Sequence, residues 1–512
     1  MNPAVPFRSI LFEHPDDEVQ REDPSMFRDL NLDQVFAAVA SGRDEYDLTP
    51  FFAAPLRDVR AVEYRHRVQQ DLADDALSKA VAEFTLAMRE MRENLGLAGR
   101  LRERYQKERW FLDAARIYGQ AVTALAEALT AIEPGSHGFT AFRRYLTDYT
   151  QSETFTGLTA DVARVTSALD EVRYCVLIKG NRVRVTRYEG EADYSAEVQH
   201  TFAKFAERTV KDYRVGFRGR AEMDHVEARI LDLVARLYPE VFQSLDEFCA
   251  GHAAYLDETI RVFDREVQFY VAYRDFTAPM RAAGLEFCYP VMSADAKEVS
   301  VRGAFDLALA AKLMPKAGAM VRNDFHLTGS ERIFVVTGPN SGGKTTFARM
   351  FGQLHYLASL GYPVPAGEAG LFLPDRVFTH FEREEDLATL RGKFEDELVR
   401  IKGVLDEATG DSVLVMNESF ASTTLRDALF VGERVLDRMT ALGLLGVYVT
   451  FVDELASRSA ACVSMVGTVV PDNPAERTFR IVRKPADGLA YAAAIAGKYR
   501  LTYRQLKERL AS

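Results

Sequence analysis

The sequence predicts a mostly α-helical region followed by an α/β domain. Helix interiors exclude proline because it lacks a backbone N–H, and no proline occurs between Pro55 and Pro134 or between Pro134 and Pro239. From about Val301 short β-branched runs alternate with helical segments, a pattern that predicts a parallel or mixed sheet with helical crossovers. A glycine-rich stretch, Gly338–Thr346, lies in this second region between a predicted strand and a predicted helix.

Apolar residues recur at helical spacing within the proline-free spans. These positions are Val62, Val68, Leu72, Leu77, Ile230, Leu233, Leu237, Phe242, Leu245 and Phe248. One passage departs from this pattern, because Tyr174–Tyr188 has two β-rich runs around Gly180–Asn181, which predicts a hairpin. The expected parts are a tail at residues 1–24, a helical region at residues 25–300 with a hairpin insertion near residues 172–190, and an α/β domain at residues 301–512.

The α/β domain is predicted from runs of buried-strand character separated by longer helical segments. The predicted strands are Ile333–Thr337, Val413–Met416, Gly446–Thr450 and Arg477–Val482. The predicted helices are Phe347–Ser359, Phe394–Glu407 and Arg426–Leu442. This alternation places the glycine-rich stretch at the end of the first of these strands.

Charge limits the classes of partner. The chain has 64 Lys+Arg against 75 Asp+Glu, a net charge of −11, which argues against nucleic-acid binding over the whole surface but not against a local basic patch. The predicted hairpin carries Arg182, Arg184 and Arg187, which could contact phosphates. The basic residues downstream of it are Lys204, Arg208, Lys211, Arg214, Arg218 and Arg220. Acidic residues dilute that run, so a solvated helix face remains the alternative.

Targeting and cysteine chemistry give a simple prediction. No apolar stretch approaches the roughly 18 residues that span a bilayer, and the N-terminus has neither an apolar core region nor a cleavage site, so we expect a cytoplasmic protein. The cysteines are far apart, at Cys175, Cys249, Cys288 and Cys462. They predict buried, reduced thiols rather than a zinc site or a disulfide framework.

The glycine-rich stretch predicts a phosphate-binding site. The spacing GxxxxGK[ST] follows a predicted strand and opens a predicted helix, which is the context this motif requires. Glycines let backbone N–H groups turn inward, and the helix N-terminus adds partial positive charge. Lys344 would reach the β- and γ-phosphates of ATP, and the Thr345 hydroxyl would ligate Mg²⁺. The predicted nucleotide-binding residues are Gly338, Pro339, Asn340, Ser341, Gly342, Gly343, Lys344, Thr345 and Thr346.

A second predicted element is an apolar strand that ends in polar residues. Val413–Met416 is followed by Asn417 and Glu418. Glu418 stands where a carboxylate polarises the attacking water and is the predicted catalytic residue. Asn417 stands where an aspartate usually orients magnesium, so this metal position has lost a formal charge. We expect weaker metal binding and slower hydrolysis.

Several motifs resemble those of the MutS family of DNA-repair ATPases, which belongs to the ABC-type P-loop superfamily. The loop TGPNSGGKTT is close to the family's TGPNMGGKST. The other similar segments are Val321–Leu327, Gly361–Ala366, Val377–Thr379, Glu385–Leu387, and Asn417–Thr424 with Asp427. The resemblance covers residues 301–512 well and extends more faintly into residues 25–300, where Phe263–Tyr273 belongs to a segment similar to the family's core and lever helices. It implies an ABC-type ATPase domain, ATP with Mg²⁺, and a homodimer whose nucleotide sites are each completed by the partner.

Three positions depart from the family pattern. The loop that contacts the partner's nucleotide reads Arg391-Gly392-Lys393-Phe394 instead of RSTF, so Gly392 and Lys393 are the in-trans candidates. The histidine that senses the γ-phosphate is Phe451, and the metal-orienting aspartate is Asn417. The family's mismatch-reading GxFYE motif and its Smr nuclease domain are not found in the sequence. The resemblance therefore implies ATP binding with doubtful turnover, and no inherited mismatch recognition.

Three function classes follow. The leading hypothesis is a homodimeric, ATP-gated DNA-associated clamp or switch that hydrolyses ATP slowly, with a preference for DNA structure rather than mismatches. The alternative is an ATP-dependent switch that acts on a protein partner without a direct DNA role, which the acidic net charge and altered catalytic positions favour. A transporter ATPase subunit is disfavoured, because no LSGGQ signature occurs.

Overall fold

A computed structural model describes residues 7–14, 25–180, 182–191, 223–314, 320–383, 392–470, 473–486 and 507. Contacts divide the chain into two compact units. The helical unit consists of Phe7 and residues 71–264, and the α/β unit consists of residues 8–70 together with those from Arg265 onward. Among the described residues, no helix combines the length and apolarity needed to cross a membrane.

The described helices and strands are numbered in chain order. The helices are α1 (Ser25–Asp29), α2 (Leu32–Ala40), α3 (Thr49–Phe52), α4 (Val59–Asp71), α5 (Asp75–Arg100), α6 (Arg104–Ile132), α7 (His137–Thr150), α8 (Glu153–Asp170), α9 (His225–Leu237), α10 (Pro239–Gly251), α11 (Glu258–Ala282), α12 (Leu307–Leu313), α13 (Lys344–Ser359), α14 (Lys393–Glu407) and α15 (Leu425–Leu442). The strands are β1 (Tyr174–Lys179), β2 (Arg182–Arg187), β3 (Val291–Ser293), β4 (Val299–Ala304), β5 (Asn323–Leu327), β6 (Ile333–Thr337), β7 (Glu368–Phe372), β8 (Val377–Phe381), β9 (Val413–Asn417), β10 (Leu445–Val449), β11 (Cys462–Val470) and β12 (Asn473–Arg483). Short 3₁₀ helices lie at Asp44–Tyr46 and Asp453–Ser457.

Helices α5 to α8 and α10 form the bundle of the helical unit. The starts of α5, α7 and α8 are fixed by side-chain caps, because Asp74, Ser136 and Ser152 each accept a hydrogen bond from a backbone N–H in the first turn of the following helix. Such caps satisfy N–H groups that have no partner inside the helix. Phe142 stacks on Phe263 in the core of this unit, with ring centroids 3.6 Å apart.

The predicted hairpin is present in the helical unit. β1 and β2 pair antiparallel from Tyr174 opposite Arg187 to Lys179 opposite Arg182. Gly180 follows β1 with a φ of +58°, a conformation that glycine adopts without steric cost. Of the predicted turn pair, Asn181 lies outside the described residues.

The α/β unit contains a six-stranded sheet in the order β12-β11-β6-β10-β9-β8. All neighbours are parallel except β12, which pairs antiparallel with β11. A second sheet has the order β3-β7-β4-β5. The predicted strand–helix alternation is confirmed, and β6 has the predicted bounds Ile333–Thr337.

Helices cover both faces of the six-stranded sheet. α13 lies against β9 and β10, whereas α14 and α15 contribute Ile401 and Leu436 to a cluster that includes Leu414 and Tyr448 of the strands. Both faces of the parallel strands are therefore buried, as expected for crossover topology. This packing fixes the carboxyl ends of β6, β9 and β10, where the predicted site residues lie.

The C-terminal end of α13 is held by buried polar side chains of the α/β unit. Arg65 is fully buried and donates from Nη1 to the Leu360 carbonyl at 2.8 Å, while Gln69 donates to the Gly361 carbonyl at 2.8 Å. A cation at this end complements the helix dipole. Tyr362 continues the chain and stacks on Phe269 at 4.3 Å.

The aromatic side chains near the middle of α11 are packing residues. Phe269, Tyr270 and Tyr273 are buried in the core of the α/β unit. The cysteines are unpaired, as predicted, but are half-buried rather than buried. Within the described ranges no group of three or more His, Cys, Asp or Glu side chains could hold a metal ion.

Candidate functional site

The glycine-rich loop Gly338–Gly343 joins the carboxyl end of β6 to the start of α13. Gly338 has a φ of +114°, and a Cβ placed there would lie 2.9 Å from the backbone nitrogen of Gly467 in β11. Gly343 is the N-cap of α13 with a φ of +92°. Both positions need glycine, because a side chain would be strained and at Gly338 would also collide with backbone. The loop can therefore close tightly on the adjacent strand.

Lys344 is the first residue of α13 and is only 3% exposed. Its Nζ donates to the carbonyls of Gly338 at 2.9 Å and Pro339 at 3.2 Å, and to Asn340 Oδ1 at 3.4 Å. Burial lowers the pKa of Lys344, while the negative charge of Glu418 opposes that shift. The ammonium group is thus held inside the loop by the loop's own oxygens.

The remaining predicted loop residues lie around Lys344. Thr345 and Thr346 are half-buried in the first turn of α13, while Asn340 and Ser341 are exposed. Ser341 has a φ of +57°. The first N–H groups of a helix have no partner inside it, so this turn can donate to an anion. The structure brings Gly338–Thr346 together as one strand–loop–helix unit.

Asn417 and Glu418 lie at the same edge of the sheet as the loop. Val449 of β10 is paired with Val336 of β6 on one side and with Asn417 of β9 on the other. Asn417 is 7% exposed, and its Oδ1 has no hydrogen-bond partner within the described residues. Glu418 has a φ of +52° and donates its N–H to the Val449 carbonyl at 3.0 Å.

Two buried side chains from outside the predicted set hold the segment after Glu418. Glu397 of α14 accepts hydrogen bonds at Oε2 from the Phe420 N–H at 3.1 Å and the Ser422 hydroxyl at 3.3 Å. His380 of β8 contacts Ser419 Oγ through Nδ1 at 2.8 Å and the Glu397 carbonyl through Nε2 at 3.2 Å. Burial lowers the pKa of His380 to about 4, so the ring is neutral and donates from Nε2 while Nδ1 accepts.

Phe451 follows β10 and lies over the loop lysine. Its ring centroid is 4.9 Å from Lys344 Nζ, and the side chain is 48% exposed. An ammonium group at this distance from an aromatic face is attracted by the ring quadrupole. At this position the side chain offers an apolar cover and no hydrogen-bonding group.

The in-trans candidates lie at the start of α14. Gly392 is the N-cap and Lys393 is the first helical residue. Lys393 Nζ forms an ion pair with the carboxylate of Glu382 in the same chain. Arg391 and the segment Glu385–Leu387 lie outside the described residues.

The sequence interpretation did not anticipate that β12 contacts the loop. Arg477 Nε donates to the Asn340 carbonyl at 3.2 Å. The backbone of Phe479, which has a φ of +60°, lies 3.6 Å from where a Cβ on Gly343 would stand. No local pattern marks either residue, because both belong to an ordinary strand prediction. The antiparallel pairing of β12 with β11 brings them to the loop.

Magnesium is compatible with the oxygen atoms at this edge. The unpartnered Asn417 Oδ1 and the Thr345 hydroxyl are neutral oxygen donors, the atom type that Mg²⁺ prefers. Mg²⁺ commonly keeps several waters and is held partly by substrate phosphates. These residues fit a magnesium ion that would be held mainly by the phosphates of a bound nucleotide. Their neutral oxygens would compensate less of the metal's positive charge than an aspartate would.

The basic hairpin has two different faces. Because side chains alternate along a strand, the pairing places Lys179, Arg182 and Arg184 on one face. Arg187 lies on the opposite face, donates to the Leu237 carbonyl at 3.1 Å from Nε, and stacks on the Tyr238 ring at 4.8 Å. Two of the three predicted arginines therefore share an exposed face, whereas Arg187 holds the hairpin against the end of α9. The downstream run from Lys204 to Arg220 lies outside the described residues.

The fold and the loop define a class of protein: an α/β unit with a glycine-rich loop between strand and helix at the carboxyl edge of a mainly parallel sheet. Residues 334–493 match the family model of MutS domain V, the ATPase domain of that family. The matched part of the chain, residues 334–493, is thus a MutS-family domain.

Curated relatives agree with this family. The chain is 27% identical over 271 residues to the DNA mismatch repair protein MutS of Chlorobium phaeovibrioides, covering 51% of this chain and 29% of the relative. It is 34% identical over 122 residues to MutS of Shouchella clausii, covering 24% of this chain and 14% of the relative. It is 30% identical over 186 residues to MutS of Erythrobacter litoralis, covering 36% and 21%. The chain thus spans less than a third of the length of these relatives.

Proposed function

We propose that the chain binds ATP with Mg²⁺ at Gly338–Thr346, hydrolyses it slowly, and acts as a homodimeric, ATP-gated DNA-associated clamp or switch in DNA repair or recombination. The observation that carries this proposal is the closed strand–loop–helix at the end of β6, with Lys344 buried inside it. The MutS-family domain and relatives named DNA mismatch repair protein MutS support the DNA-repair setting. We propose no mismatch reading.

Each site residue has a proposed role. Lys344 exchanges the carbonyls of Gly338 and Pro339 for the β- and γ-phosphates, and the backbone N–H groups of the loop bind phosphate oxygens. Thr345 and Asn417 hold the metal through neutral oxygens, and bound Mg²⁺ neutralises charge on the phosphate oxygens. Glu418 accepts the proton of the attacking water.

Two features support slow turnover. Asn417 supplies an amide oxygen where a carboxylate would compensate the metal charge, so the transition state gains less electrostatic stabilisation. Phe451 presents a ring to Lys344 where a polar side chain could contact the γ-phosphate. Binding depends on backbone geometry that is complete, whereas hydrolysis depends on these side chains.

The homodimer is proposed because Gly392 and Lys393 would complete the partner's nucleotide site. Lys393 would exchange Glu382, its present partner, for a γ-phosphate across the interface. Charge-assisted contacts to phosphate are stronger than an exposed ion pair, so this exchange is favourable once the partner's nucleotide is in place.

DNA contact is proposed at the hairpin face formed by Lys179, Arg182 and Arg184. Three cations on one exposed face of a narrow ribbon suit phosphate contacts that depend on shape rather than sequence. The affinity should fall steeply as salt rises, because each neutralised phosphate releases counterions. Branched or looped DNA is the proposed target.

The experiment that tests this function combines nucleotide binding with steady-state ATPase assays. Wild type, Lys344→Ala and Glu418→Gln are measured with and without DNA. The proposal expects Lys344→Ala to lose ATP binding, and Glu418→Gln to bind ATP without hydrolysing it. Equal ATP affinity in wild type and Lys344→Ala would refute the nucleotide site, and absent DNA binding in every nucleotide state would refute the DNA role.

A second candidate is an ATP-dependent switch that acts on a protein partner. Two observations favour this candidate: the net charge of −11, and the hydrogen bond by which Arg187 contacts the Leu237 carbonyl of its own chain. Both reduce the cationic surface available to DNA. A pull-down whose partners change with ATP and persist after nuclease treatment would support this candidate over the DNA clamp.

A further inference from the structure

The segment after β9 is held in an unfavourable backbone conformation. Glu418 and Phe420 are both non-glycine residues with positive φ, at +52° and +65°. Such conformations are disfavoured for residues with a Cβ, and they persist only where the surroundings hold them. The direction of the Glu418 side chain therefore depends on the contacts that fix this turn.

Glu397 supplies the carboxylate that fixes the turn. Its side chain is 1% exposed, and Oε2 accepts from the Phe420 N–H at 3.1 Å and from the Ser422 hydroxyl at 3.3 Å. A backbone N–H that would otherwise be buried without a partner is thereby satisfied. Phe420 itself is fully buried, so water cannot replace this contact.

Glu397 is itself held on rigid elements. It lies in the second turn of α14, one helical turn after Lys393 and on the same side of the helix. Its carbonyl accepts from neutral His380, and the same ring contacts Ser419. Two neighbouring elements, α14 and β8, thus converge on Ser419, Phe420 and Ser422, which follow Glu418 in the chain.

We propose that Glu397 is a positioning residue for hydrolysis: by holding Phe420 and Ser422, it aims the Glu418 carboxylate at the attacking water. This inference rests on the proposed function, in which Glu418 is the base. Glu397 touches neither nucleotide nor metal in this role. Loss of its carboxylate affects kcat, whereas ATP affinity, which depends on the loop after β6, is retained.

The test compares Glu397→Ala with Glu397→Gln in the full chain. Glu397→Ala should lower kcat by about tenfold to a hundredfold, the usual consequence of a displaced catalytic group, with KM changed by less than about threefold. Glu397→Gln should restore kcat to within about threefold, because its amide oxygen still accepts from the Phe420 N–H. A kcat for Glu397→Ala within twofold of wild type would overturn the proposal.

Two further variants separate positioning from stability. Glu395→Ala removes an exposed acid of the same helix and should leave kcat unchanged. Ser422→Ala removes one of the two hydrogen bonds to Glu397 and should lower kcat by about twofold to fivefold. If Glu397→Ala does not fold, this smaller and separable loss decides the question, and an unchanged kcat in Ser422→Ala would count against the proposal.

Hydrogen exchange distinguishes failure of this inference from failure of the proposed function. Glu397→Ala should speed amide exchange in the peptide that contains residues 417–424, whereas Glu397→Gln and Glu395→Ala should not. If wild type has no turnover, the proposed hydrolysis fails while this exchange result still supports the positioning contact. If wild type turns over and exchange at residues 417–424 is unaffected in Glu397→Ala, the positioning role fails alone.

Discussion

The end of β6 and the ends of β9 and β10 lie at the same edge of one sheet but are built differently. β6 leads into a loop whose shape depends on Gly338, Gly343 and close packing on β11. β9 and β10 lead to Asn417 and Phe451, where the family pattern has other side chains. If the proposed function is right, phosphate binding depends on backbone shape at the end of β6, whereas phosphate cleavage depends on individual side chains at the ends of β9 and β10.

The largest effect is expected from a substitution that disturbs the backbone conformation of the loop after β6. Gly338→Ala places a methyl group 2.9 Å from the Gly467 backbone at a φ that favours glycine, so the loop must shift. We expect ATP affinity to fall by about tenfold to a hundredfold, since strain of this kind costs about 1–3 kcal/mol. Titration with a fluorescent ATP analogue measures it. The matched control is Gly403→Ala in α14, where the added methyl meets nothing within 4 Å; equal losses in both variants would contradict the argument.

The next largest effect is expected from restoring the acidic side chain at position 417. Asn417→Asp returns a formal charge to the metal position, so we expect Mg²⁺-dependent kcat to rise by about tenfold and the Mg²⁺ concentration for half-maximal rate to fall. Phosphate release measured across a Mg²⁺ titration, with EDTA as the zero point, gives both values. Asn417→Ala should show no gain. A kcat of Asn417→Asp equal to that of wild type would mean that charge at this position does not limit turnover.

A smaller effect concerns the ring over the loop lysine. Removing the Phe451 ring eliminates an attraction that favours the nucleotide-free position of Lys344, so Phe451→Ala should bind ATP about twofold to fivefold more tightly. Calorimetric titration resolves a change of this size. Phe430→Ala removes another exposed phenylalanine of the same unit and should leave affinity unchanged. Weaker ATP binding in Phe451→Ala would instead indicate that the ring contacts the nucleotide.

The in-trans hypothesis predicts opposite effects from the two members of one ion pair. Glu382→Ala removes one partner of Lys393 and should raise kcat by about twofold. Lys393→Ala should lower kcat by a similar factor and weaken ATP-dependent dimerisation, as expected for a half-exposed pair. ATPase assays at several protein concentrations, with light scattering, measure both. If Lys393→Ala leaves ATP affinity, dimerisation and hydrolysis unchanged, the hypothesis is wrong.

The smallest expected effect on the nucleotide concerns the framework of the α/β unit. Burial raises the pKa of Glu266 from 4.5 to about 7, although Ser9 and the Ile10 N–H donate to its carboxylate. Between pH 4.5 and 7 the unfolded chain releases this proton while the folded chain retains it, so stability falls as pH rises. In Glu266→Gln, the free energy of unfolding should therefore fall by up to about 3 kcal/mol less over this pH range than in wild type, and ATP affinity should be unchanged.

Chemical denaturation of wild type and Glu266→Gln at several pH values checks the prediction. Parallel pH profiles for the two proteins would show that Glu266 ionises normally in the folded state. A change in ATP affinity would show that the framework and the nucleotide site are not separable.

The main features of the α/β unit could be predicted from local sequence. The β-branched run Ile333–Thr337, the helix predicted at Phe394–Glu407 and the glycine-rich spacing each depend on neighbouring residues, and the structure has β6, α14 and the loop at these places. Thr424 and Asp427, noted as part of a family motif, also have a structural function. The Thr424 side chain caps α15 by accepting from the Asp427 N–H at 3.2 Å.

The features that escaped prediction depend on contacts between distant residues. Glu397 and His380 converge on Ser419 and Phe420 because β8 and α14 pack beside β9, and no spacing in the sequence records that meeting. The grouping of residues 8–70 with those from Arg265 onward is likewise a tertiary property. Arg187 is different. It is an odd number of residues away from both Arg182 and Arg184, so once the strand register is known the sequence already places its side chain on the opposite face of the hairpin.

The position of Trp110 has a consequence for optical measurements. It is the only tryptophan in the sequence and lies half-buried on α6 of the helical unit, whereas Gly338–Thr346 belongs to the α/β unit. Excitation at the red edge of the tyrosine band therefore yields emission from the helical unit alone. A shift in that emission when ATP is added would be a label-free optical signal that nucleotide binding in one unit alters the other, and its rise time would give the rate of transmission.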